Sequence, residues 1–264
     1  MIYLIVALIG IVQGVSEFLP ISSSGHLVLL YNIFDIQQNT IFLSVVLHLA
    51  TLFAVVFVYF NDIVMLIKNP FCKTNKLLVV ATIPTVIMVL IFEKLITQAF
   101  GGNFFFVGFF ITALVLLISE QLSKKNVNTK SDVLNLDITY KKAIVIGVVQ
   151  GIACVPGISR SGSTISTALM LKVNKEDATK FSFLMSIPII IASFLYELIN
   201  LKGATFSFST MQLFVGFVCA FVFGIIAVKF MIKFVKKQKF YIFSIYLVII
   251  GIFVLLNEYL FHLW

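Results

Sequence analysis

The chain has 264 residues, of which 61% are hydrophobic and 11% are charged, and its formal net charge is +8. A soluble domain of this length could not hide so much apolar surface from water, so the composition excludes a soluble protein and indicates an integral membrane protein. The basic residues lie in short loops between apolar runs, which excludes the single basic face of a nucleic-acid-binding protein.

The first predicted element, residues 2–33, is apolar at both ends but is interrupted centrally by Gly, Pro, Ser and a charge. It is too short to cross a hydrocarbon core of about 30 Å twice. We therefore interpret it as a re-entrant helical hairpin, whose irregular tip must be buried in protein or line a wet cavity. Three full spans are predicted after it, at residues 41–60, 77–97 and 104–122.

The second half of the chain repeats this order. Residues 123–141 are predicted to form a cytoplasmic linker, and residues 142–172 are a second interrupted segment, interpreted as a second re-entrant hairpin. Three more spans are predicted at residues 181–199, 211–230 and 241–261. The predicted fold class is therefore an all-α integral membrane protein with two hairpins and six full spans.

The two interrupted segments also form an internal repeat. With a shift of 137 residues, IGIVQGVSEFLPISSSG (9–25) aligns without a gap with IGVVQGIACVPGISRSG (146–162), and nine of the 17 pairs are identical. The identities include Gln, Gly and Ser, which chance similarity between apolar segments would not produce. We predict a single membrane domain over residues 1–264, built from repeats at 1–125 and 140–264, and an odd number of crossings inverts the second repeat.

The lysines predict the orientation of the chain in the membrane. Only Lys94 and Lys202 fall on one predicted side, and every other lysine falls on the opposite side. Because basic residues accumulate in short cytoplasmic loops, both termini are predicted to lie outside. The first hairpin would then enter from outside and the second from the cytoplasm.

Glu17 is the unusual residue of the first hairpin. The segment QGVSEFLPISSSGH (13–26) places Gln13 and Glu17 one helical turn apart, just before a serine-rich turn that proline breaks. A carboxylate inside an apolar segment is costly and usually faces a cavity, a partner or a pathway. The structural alternative is a glutamate at a frayed helix end near the membrane interface.

The second hairpin carries Arg160, the only arginine in the chain, within PGISRSGST (156–164). Backbone amides at the start of a helix, hydroxyl groups and a forked guanidinium together suit a phosphate. The structural alternative is an arginine that caps carbonyl groups between helices. His48, in the first span, could reach the same site, but we favour its interpretation as a packed, hydrogen-bonded residue.

At these residues the chain resembles the undecaprenyl-diphosphate phosphatase family, also called the bacitracin-resistance family, over essentially its whole length. The two signatures of that family occur here in the expected order, the first as QGVSEFLPISSSGH and the second as PGISRSGST. The resemblance implies hydrolysis of undecaprenyl diphosphate to undecaprenyl phosphate and inorganic phosphate in the bacterial cytoplasmic membrane. It also implies resistance to bacitracin and an active site that opens to the extracytoplasmic side.

The resemblance implies a role for each matched residue. Glu17 would be the acid/base residue, Ser23 a candidate nucleophile, His26 a proton-transfer or orienting residue, and Arg160 the phosphate clamp. The remaining residues expected to bind substrate are Gln13, Ser22, Ser24, Gly25, Gly157, Ser159, Ser161 and Thr164.

A divalent cation, Mg²⁺ or Ca²⁺, is expected because the family is described as dependent on one. Its site is left unplaced, with Gln13 and Glu17 as the nearest candidates. Gln13 stands where many members have Glu, and an amide is a poorer ligand for these cations than a carboxylate.

Several alternatives stay open from the sequence. The nucleophile is either Ser23 or a water activated by Glu17. A transporter or flippase of polyprenyl phosphate lipids is the alternative function, because inverted repeats with broken segments are common in transporters. The expected partners are a polyprenyl diphosphate substrate and membrane lipid. The oligomeric state is left open, with a homodimer as one candidate.

Overall fold

The structure of the protein is a computed structural model that describes residues 1–36, 40–92, 94, 105–123, 132–200, 208–237 and 239–262. Within these ranges all regular structure is helical, as the sequence predicts. The helices are α1 (Ile2–Phe18), α2 (Ser23–Ile33), α3 (Thr40–Val58), α4 (Phe60–Lys68), α5 (Lys73–Ile91), α6 (Phe105–Leu122), α7 (Tyr140–Ile152), α8 (Arg160–Met170), α9 (Lys175–Asn200), α10 (Thr210–Lys237) and α11 (Tyr241–Leu256), followed by a π-helical turn (Asn257–Phe261). The predicted span ends at residues 95–97 and 104 lie outside the described residues, as do Lys124, Lys125, Lys130 and Lys202.

Five segments of the described chain are long and apolar enough to cross a membrane, so the protein is a multi-pass membrane protein. They are Lys73–Ile91, Phe105–Leu122, Lys175–Leu195, Thr210–Lys237 and Tyr241–Phe261, and they correspond to the last five predicted spans. The predicted span at 41–60 differs, because α3 ends at Val58 and α4 leaves it at an angle of 78°. This bent pair forms a sixth span only if its two helices are counted together.

Tertiary contacts hold the bend between α3 and α4. Tyr59, the residue between the two helices, is buried, and its ring centroid lies 6.2 Å from that of Phe183 on α9. Asp62 Oδ2 on α4 lies 3.1 Å from Lys180 Nζ on α9, and Leu66 is buried one turn later. The side chains that fix α4 therefore meet partners more than a hundred positions away, which sequence periodicity does not reveal.

Each interrupted segment is a pair of short helices joined by a turn. In the first, Pro20 lies in the turn between α1 and α2, where its missing N–H and fixed φ stop the helix. In the second, Pro156 and Gly157 lie between α7 and α8, and Gly157 adopts a φ of +86° that only glycine takes without strain. At 1.5 Å per residue, α2 and α8 are each about 16 Å long, about half the thickness of a hydrocarbon core.

The long helix of each pair packs closely against a later or earlier span. α1 packs on α10, and a Cβ on Gly10 would lie 2.4 Å from the carbonyl oxygen of Gly216. α7 packs on α5, and a Cβ on Gly147 would lie 2.1 Å from the carbonyl oxygen of Ala81. Small residues therefore let these two backbones come into contact. Close packing of this kind stabilises helix pairs in membranes, where burial of apolar surface does not favour association. α6 packs on α11, and α3 packs on both α9 and α10.

The described end of the predicted linker is bound to the helices beside it. The backbone N–H of Leu136 donates to Thr74 Oγ1 over 3.3 Å, and Lys73 Nζ donates to the carbonyl of Leu136 over 2.9 Å. The N–H of Asp137 donates to Asp177 Oδ2 on α9 over 2.6 Å. Residues 132–139 thus tie the starts of α5 and α9 together.

Candidate active site

Glu17 lies at the end of α1 with its side chain almost fully buried, and three polar side chains bind its carboxylate. Arg160 Nη2 donates to Oε1, and Ser23 Oγ donates to Oε2 over 2.5 Å. Gln13, one turn earlier on α1, donates its amide to Oε2 over 3.1 Å. Glu17, Ser23, Arg160 and Gln13, all predicted from the sequence, therefore form one hydrogen-bonded group.

Ser23 and Arg160 are each the first residue of a short helix. Ser23 begins α2 and Arg160 begins α8, so two helix N-termini meet at Glu17. A helix N-terminus carries free N–H groups and a partial positive charge, both of which favour an anion. Arg160 Nη1 is buried and has no hydrogen-bond partner among the described residues. The guanidinium therefore keeps a donor available while Nη2 holds the carboxylate.

The turn before α2 is shaped by the next predicted residues. Ser22 has a φ of +70°, and its Oγ accepts from the N–H of Gly25 over 3.3 Å, which caps the helix. Ser22 Oγ also lies 3.3 Å from Ser24 Oγ. A Cβ on Gly25 would lie 2.6 Å from the ring of Phe109, so α2 approaches α6 closely. These residues fix the direction in which Ser23 leaves the turn.

The turn before α8 repeats this capping. Ser159 Oγ accepts from the N–H of Gly162 over 3.1 Å and lies 3.4 Å from Ser161 Oγ. Ser161 Oγ also donates to the carbonyl of Leu19 over 3.1 Å, which joins the two turns directly. Thr164 donates to the carbonyl of Arg160 over 2.8 Å. A Cβ on Gly157 would lie 2.0 Å from the carbonyl oxygen of Phe105, so this turn is packed tightly against the start of α6.

His26 is held by partners other than Glu17. Its Nδ1 donates to the carbonyl of Ser22 over 2.7 Å, because a carbonyl oxygen only accepts. Its Nε2 therefore accepts from the hydroxyl of Tyr246 on α11 over 2.6 Å, and the two rings stack with centroids 5.6 Å apart. With both nitrogens engaged, the geometry favours an orienting role for His26 over proton transfer.

His48 on α3, which is predicted from the sequence to be a packed residue, lies beside Glu17. Its Nε2 lies 3.7 Å from Glu17 Oε2, and its Nδ1 donates to the carbonyl of Ser44 over 2.7 Å. The sequence signal was a lone histidine in an apolar helix, which does not distinguish a packed residue from a functional one.

Comparison with known proteins decides the family. The sequence profile of the family described as bacitracin resistance protein BacA matches residues 6–253 of the chain. The chain belongs to this family. The resemblance found from the two sequence signatures is thus confirmed, and it extends over nearly the whole BacA-type chain.

Relatives at about two-fifths identity carry the name undecaprenyl-diphosphatase. Undecaprenyl-diphosphatase 3 of Bacillus cereus is 39% identical over 259 residues, which cover 96% of each chain. Undecaprenyl-diphosphatase of Carboxydothermus hydrogenoformans is 39% identical over 259 residues and 95% of each chain. Undecaprenyl-diphosphatase of Methanosphaera stadtmanae is 38% identical over 269 residues, covering 93% of this BacA-family chain and 94% of that protein.

The side chains around Glu17 do not fit a divalent cation held by the protein alone. Mg²⁺ and Ca²⁺ require several oxygen ligands, carboxylates above all. Both oxygens of Glu17 are already bound, and one binds an arginine. No group of three His, Cys, Asp or Glu side chains suited to a metal occurs in the part of the chain that the structure describes. Gln13 Oε1, buried without a partner among the described residues, is a further oxygen donor at this point.

Proposed function

We propose that this protein hydrolyses undecaprenyl diphosphate to undecaprenyl phosphate and inorganic phosphate, which returns the lipid carrier to cell-wall glycan synthesis and confers bacitracin resistance. The observation that carries the proposal is the group formed by Glu17, Ser23 and Arg160, in which one carboxylate binds both a hydroxyl and a guanidinium. Phosphoryl transfer needs these three functions, a nucleophile, a proton acceptor and a positive charge for the phosphate oxygens. The names of the relatives indicate the same reaction.

The substrate would bind with its lipid tail in the bilayer and its diphosphate at the starts of α2 and α8. Arg160 Nη1 is free to bind the terminal phosphate, because only Nη2 is bound to Glu17 among the described residues. Two helix N-termini add partial positive charge at the same place. Arginine suits this role because its planar guanidinium matches the geometry of a phosphate.

The chemical step would use the hydrogen bond between Ser23 and Glu17. Ser23 Oγ forms a bond to the terminal phosphorus, its proton passes to Glu17 Oε2, and the bridging P–O bond breaks to release undecaprenyl phosphate. Water would then cleave the phosphoserine, giving one proton back to Ser23 and leaving its hydroxyl on the phosphate. In the alternative route, Glu17 activates a water that attacks the phosphorus directly. A phosphoserine trapped at Ser23 by acid quenching would favour the first route.

The test of this function is phosphate release by purified protein in detergent. The wild type should release phosphate from undecaprenyl diphosphate, and Glu17→Gln and Arg160→Lys should lose most of that activity while they remain folded. Glu176→Gln is the matched control, because Glu176 lies at the start of α9 in an ion pair with Lys236 and outside the site. Absence of phosphate release by the wild type with and without Mg²⁺ or Ca²⁺ would overturn the proposal.

A divalent cation, if the reaction uses one, would reach the site bound to the diphosphate. Both carboxylate oxygens of Glu17 already accept hydrogen bonds, and Gln13 Oε1 is the buried oxygen beside them that has no partner among the described residues. Such a cation would add positive charge to the phosphate oxygens. Its affinity for the protein without substrate should then be weak, which calorimetry with Mg²⁺ alone can measure.

We also propose the finer architecture, in which two inverted repeats each comprise a re-entrant hairpin and three spans. The reciprocal packing of α1 on α10 and of α7 on α5 supports it, because the shift of 137 residues exchanges these two pairs. The active site would open to the extracytoplasmic side of the bacterial cytoplasmic membrane, with both termini outside. Lys94→Cys should react with a membrane-impermeant maleimide on intact cells and Lys237→Cys should not, in a background without Cys72, Cys154 and Cys219. The reverse labelling would overturn this orientation.

A polyprenyl phosphate flippase is the second candidate function. Two helical turns that meet inside a membrane protein, joined by Ser161 Oγ and the carbonyl of Leu19, are also what a transporter with broken helices would use. The two functions separate in proteoliposomes. A flippase moves labelled lipid between leaflets without releasing phosphate, whereas the phosphatase releases phosphate without requiring movement.

A further inference from the structure

His48 presents one nitrogen to the carboxylate of Glu17. Its Nδ1 carries the hydrogen that it donates to the carbonyl of Ser44, so Nε2 is the nitrogen that faces Glu17 Oε2 at 3.7 Å. Ser44 is itself held, because its Oγ lies 2.7 Å from the hydroxyl of Tyr31 on α2. The orientation of the imidazole is thus set by its own helix and by α2, and Nε2 stays directed at the carboxylate.

The side chains of Glu17 and His48 differ in exposure, which determines where a proton can leave the site. The side chain of Glu17 is 5% exposed, whereas that of His48 is 34% exposed. The protein encloses Glu17, so a proton that Glu17 accepts from the nucleophile must be passed to a neighbour that the protein does not enclose. His48 is in the position to receive it.

The other neighbours of Glu17 are unsuited to carry that proton. Gln13 is an amide and Arg160 carries a guanidinium, and neither of these groups accepts a proton. His26 has both ring nitrogens engaged, by the carbonyl of Ser22 and by Tyr246. Imidazole is the side chain that binds and releases a proton near neutral pH, and His48 is the imidazole that remains.

We propose that His48 is the second proton carrier of the active site, taking the proton of the attacking nucleophile from Glu17 and releasing it to water. The inference rests on the proposed phosphatase function. When Ser23 attacks, the O–H bond of Ser23 breaks, its proton moves to Glu17 Oε2 and on to His48 Nε2, and the bridging P–O bond breaks. The proton moves in the same way if water attacks directly. A small approach of the two side chains closes the gap of 3.7 Å.

The experiment compares phosphate release by the wild type, His48→Gln, His48→Ala and His262→Gln. Glutamine fills the same space and keeps a polar side chain but carries no proton, so kcat of His48→Gln should fall about a hundredfold with little change in KM. Imidazole added to His48→Ala should restore activity in proportion to its concentration, because the partly exposed site is open to a small molecule. It should not restore His48→Gln, whose side chain occupies the space. His262→Gln, at the exposed end of the described chain, should keep wild-type activity.

The outcomes separate this proposal from the proposed function. Wild-type kcat in His48→Gln, or a loss in His48→Ala that imidazole does not reverse, would overturn the role of His48 and leave the phosphatase intact. No phosphate release by the wild type would remove the proposed function, and the role of His48 would fall with it. Thermal unfolding of each variant in detergent checks that the loss of activity is not a loss of fold.

Discussion

Arg160 donates to Glu17 across 143 positions of sequence, joining the first residue of α8 to the end of α1. Both side chains are largely buried, Arg160 at 13% and Glu17 at 5% exposure. A buried ion pair gains little net free energy over an apolar pair, but removing one partner leaves a buried charge without compensation. The ion pair therefore fixes how the two helix pairs, α1–α2 and α7–α8, meet, and each partner depends on the other.

We expect Arg160→Gln to lower the free energy of unfolding by about 3 kcal/mol, because it leaves the Glu17 carboxylate buried without its positive partner. The double variant Glu17→Gln/Arg160→Gln should recover much of that loss, since no charge then remains, yet both variants should lack phosphatase activity. Thermal or denaturant unfolding in detergent measures the stability and phosphate release the activity. A double variant as unstable as Arg160→Gln alone would contradict this account.

Tyr246→Phe should reduce kcat about tenfold with a small change in stability. The substitution removes the hydroxyl that Nε2 of His26 accepts from, but keeps the ring that stacks on the imidazole. The loss of one buried hydrogen bond costs up to about 1.4 kcal/mol, which is a factor of ten in rate when it misplaces a site residue. Steady-state kinetics with Tyr259→Phe as the control, a tyrosine exposed near the end of the chain, would measure it. Equal kcat values in the two variants would show that the hydroxyl does not orient His26 for the reaction.

Gly10→Ala and Gly147→Ala should each destabilise the protein by about 2 kcal/mol. In both, the new Cβ would lie within 2.4 Å of a backbone carbonyl oxygen on the facing helix, which cannot move aside as a side chain does. Gly251→Ala is the matched control, because its Cβ would meet the ring of Phe110 at 3.0 Å and a ring can rotate. Unfolding midpoints in detergent give the comparison, and a control as unstable as the other two would argue against close backbone packing as the cause.

Asp177→Ala should loosen the chain just before α7. Asp177 Oδ2 accepts from the N–H of Asp137 over 2.6 Å and from Asn174 Nδ2 over 2.9 Å, and the side chain is buried. Loss of these bonds should make the bond after Lys141, in the first turn of α7, more sensitive to trypsin. Phosphatase activity should largely remain, because neither bond involves a residue of the candidate site. Asp177→Asn, which keeps one oxygen as an acceptor, should be intermediate. Unchanged digestion of Asp177→Ala would mean that other contacts hold residues 132–139.

The sequence indicated the residues that meet at Glu17 because local features distinguish them. Glu17 stands out as a charge in an apolar helix, Arg160 as the only arginine, and the two turns share capping serines at Ser22 and Ser159. Contacts between elements far apart in the chain have no corresponding local feature in the sequence. Tyr246 lies 220 positions from His26, so only the folded chain reveals its role.

The break between α3 and α4 was missed for a similar reason. Val58, Tyr59 and Phe60 continue an apolar run, and neither proline nor glycine signals a stop. The chain turns there because Asp62 pairs with Lys180 and Tyr59 packs beside Phe183. His48 belongs to the same helix, and its place beside Glu17 depends on how α3 crosses α1, which a helical pattern alone does not determine.

The packing of α1 on α10 sets an order for biogenesis. α1 is among the first residues to be synthesised, yet the helix on which it packs begins at Thr210. Most of the chain must therefore be made before α1 can reach its packed position. α5, by contrast, is synthesised before α7, so α7 can pack on it as soon as it is made. Neither half carries the main partner of its own hairpin, so two separately expressed halves should be unstable alone and should assemble when they are produced together in one cell.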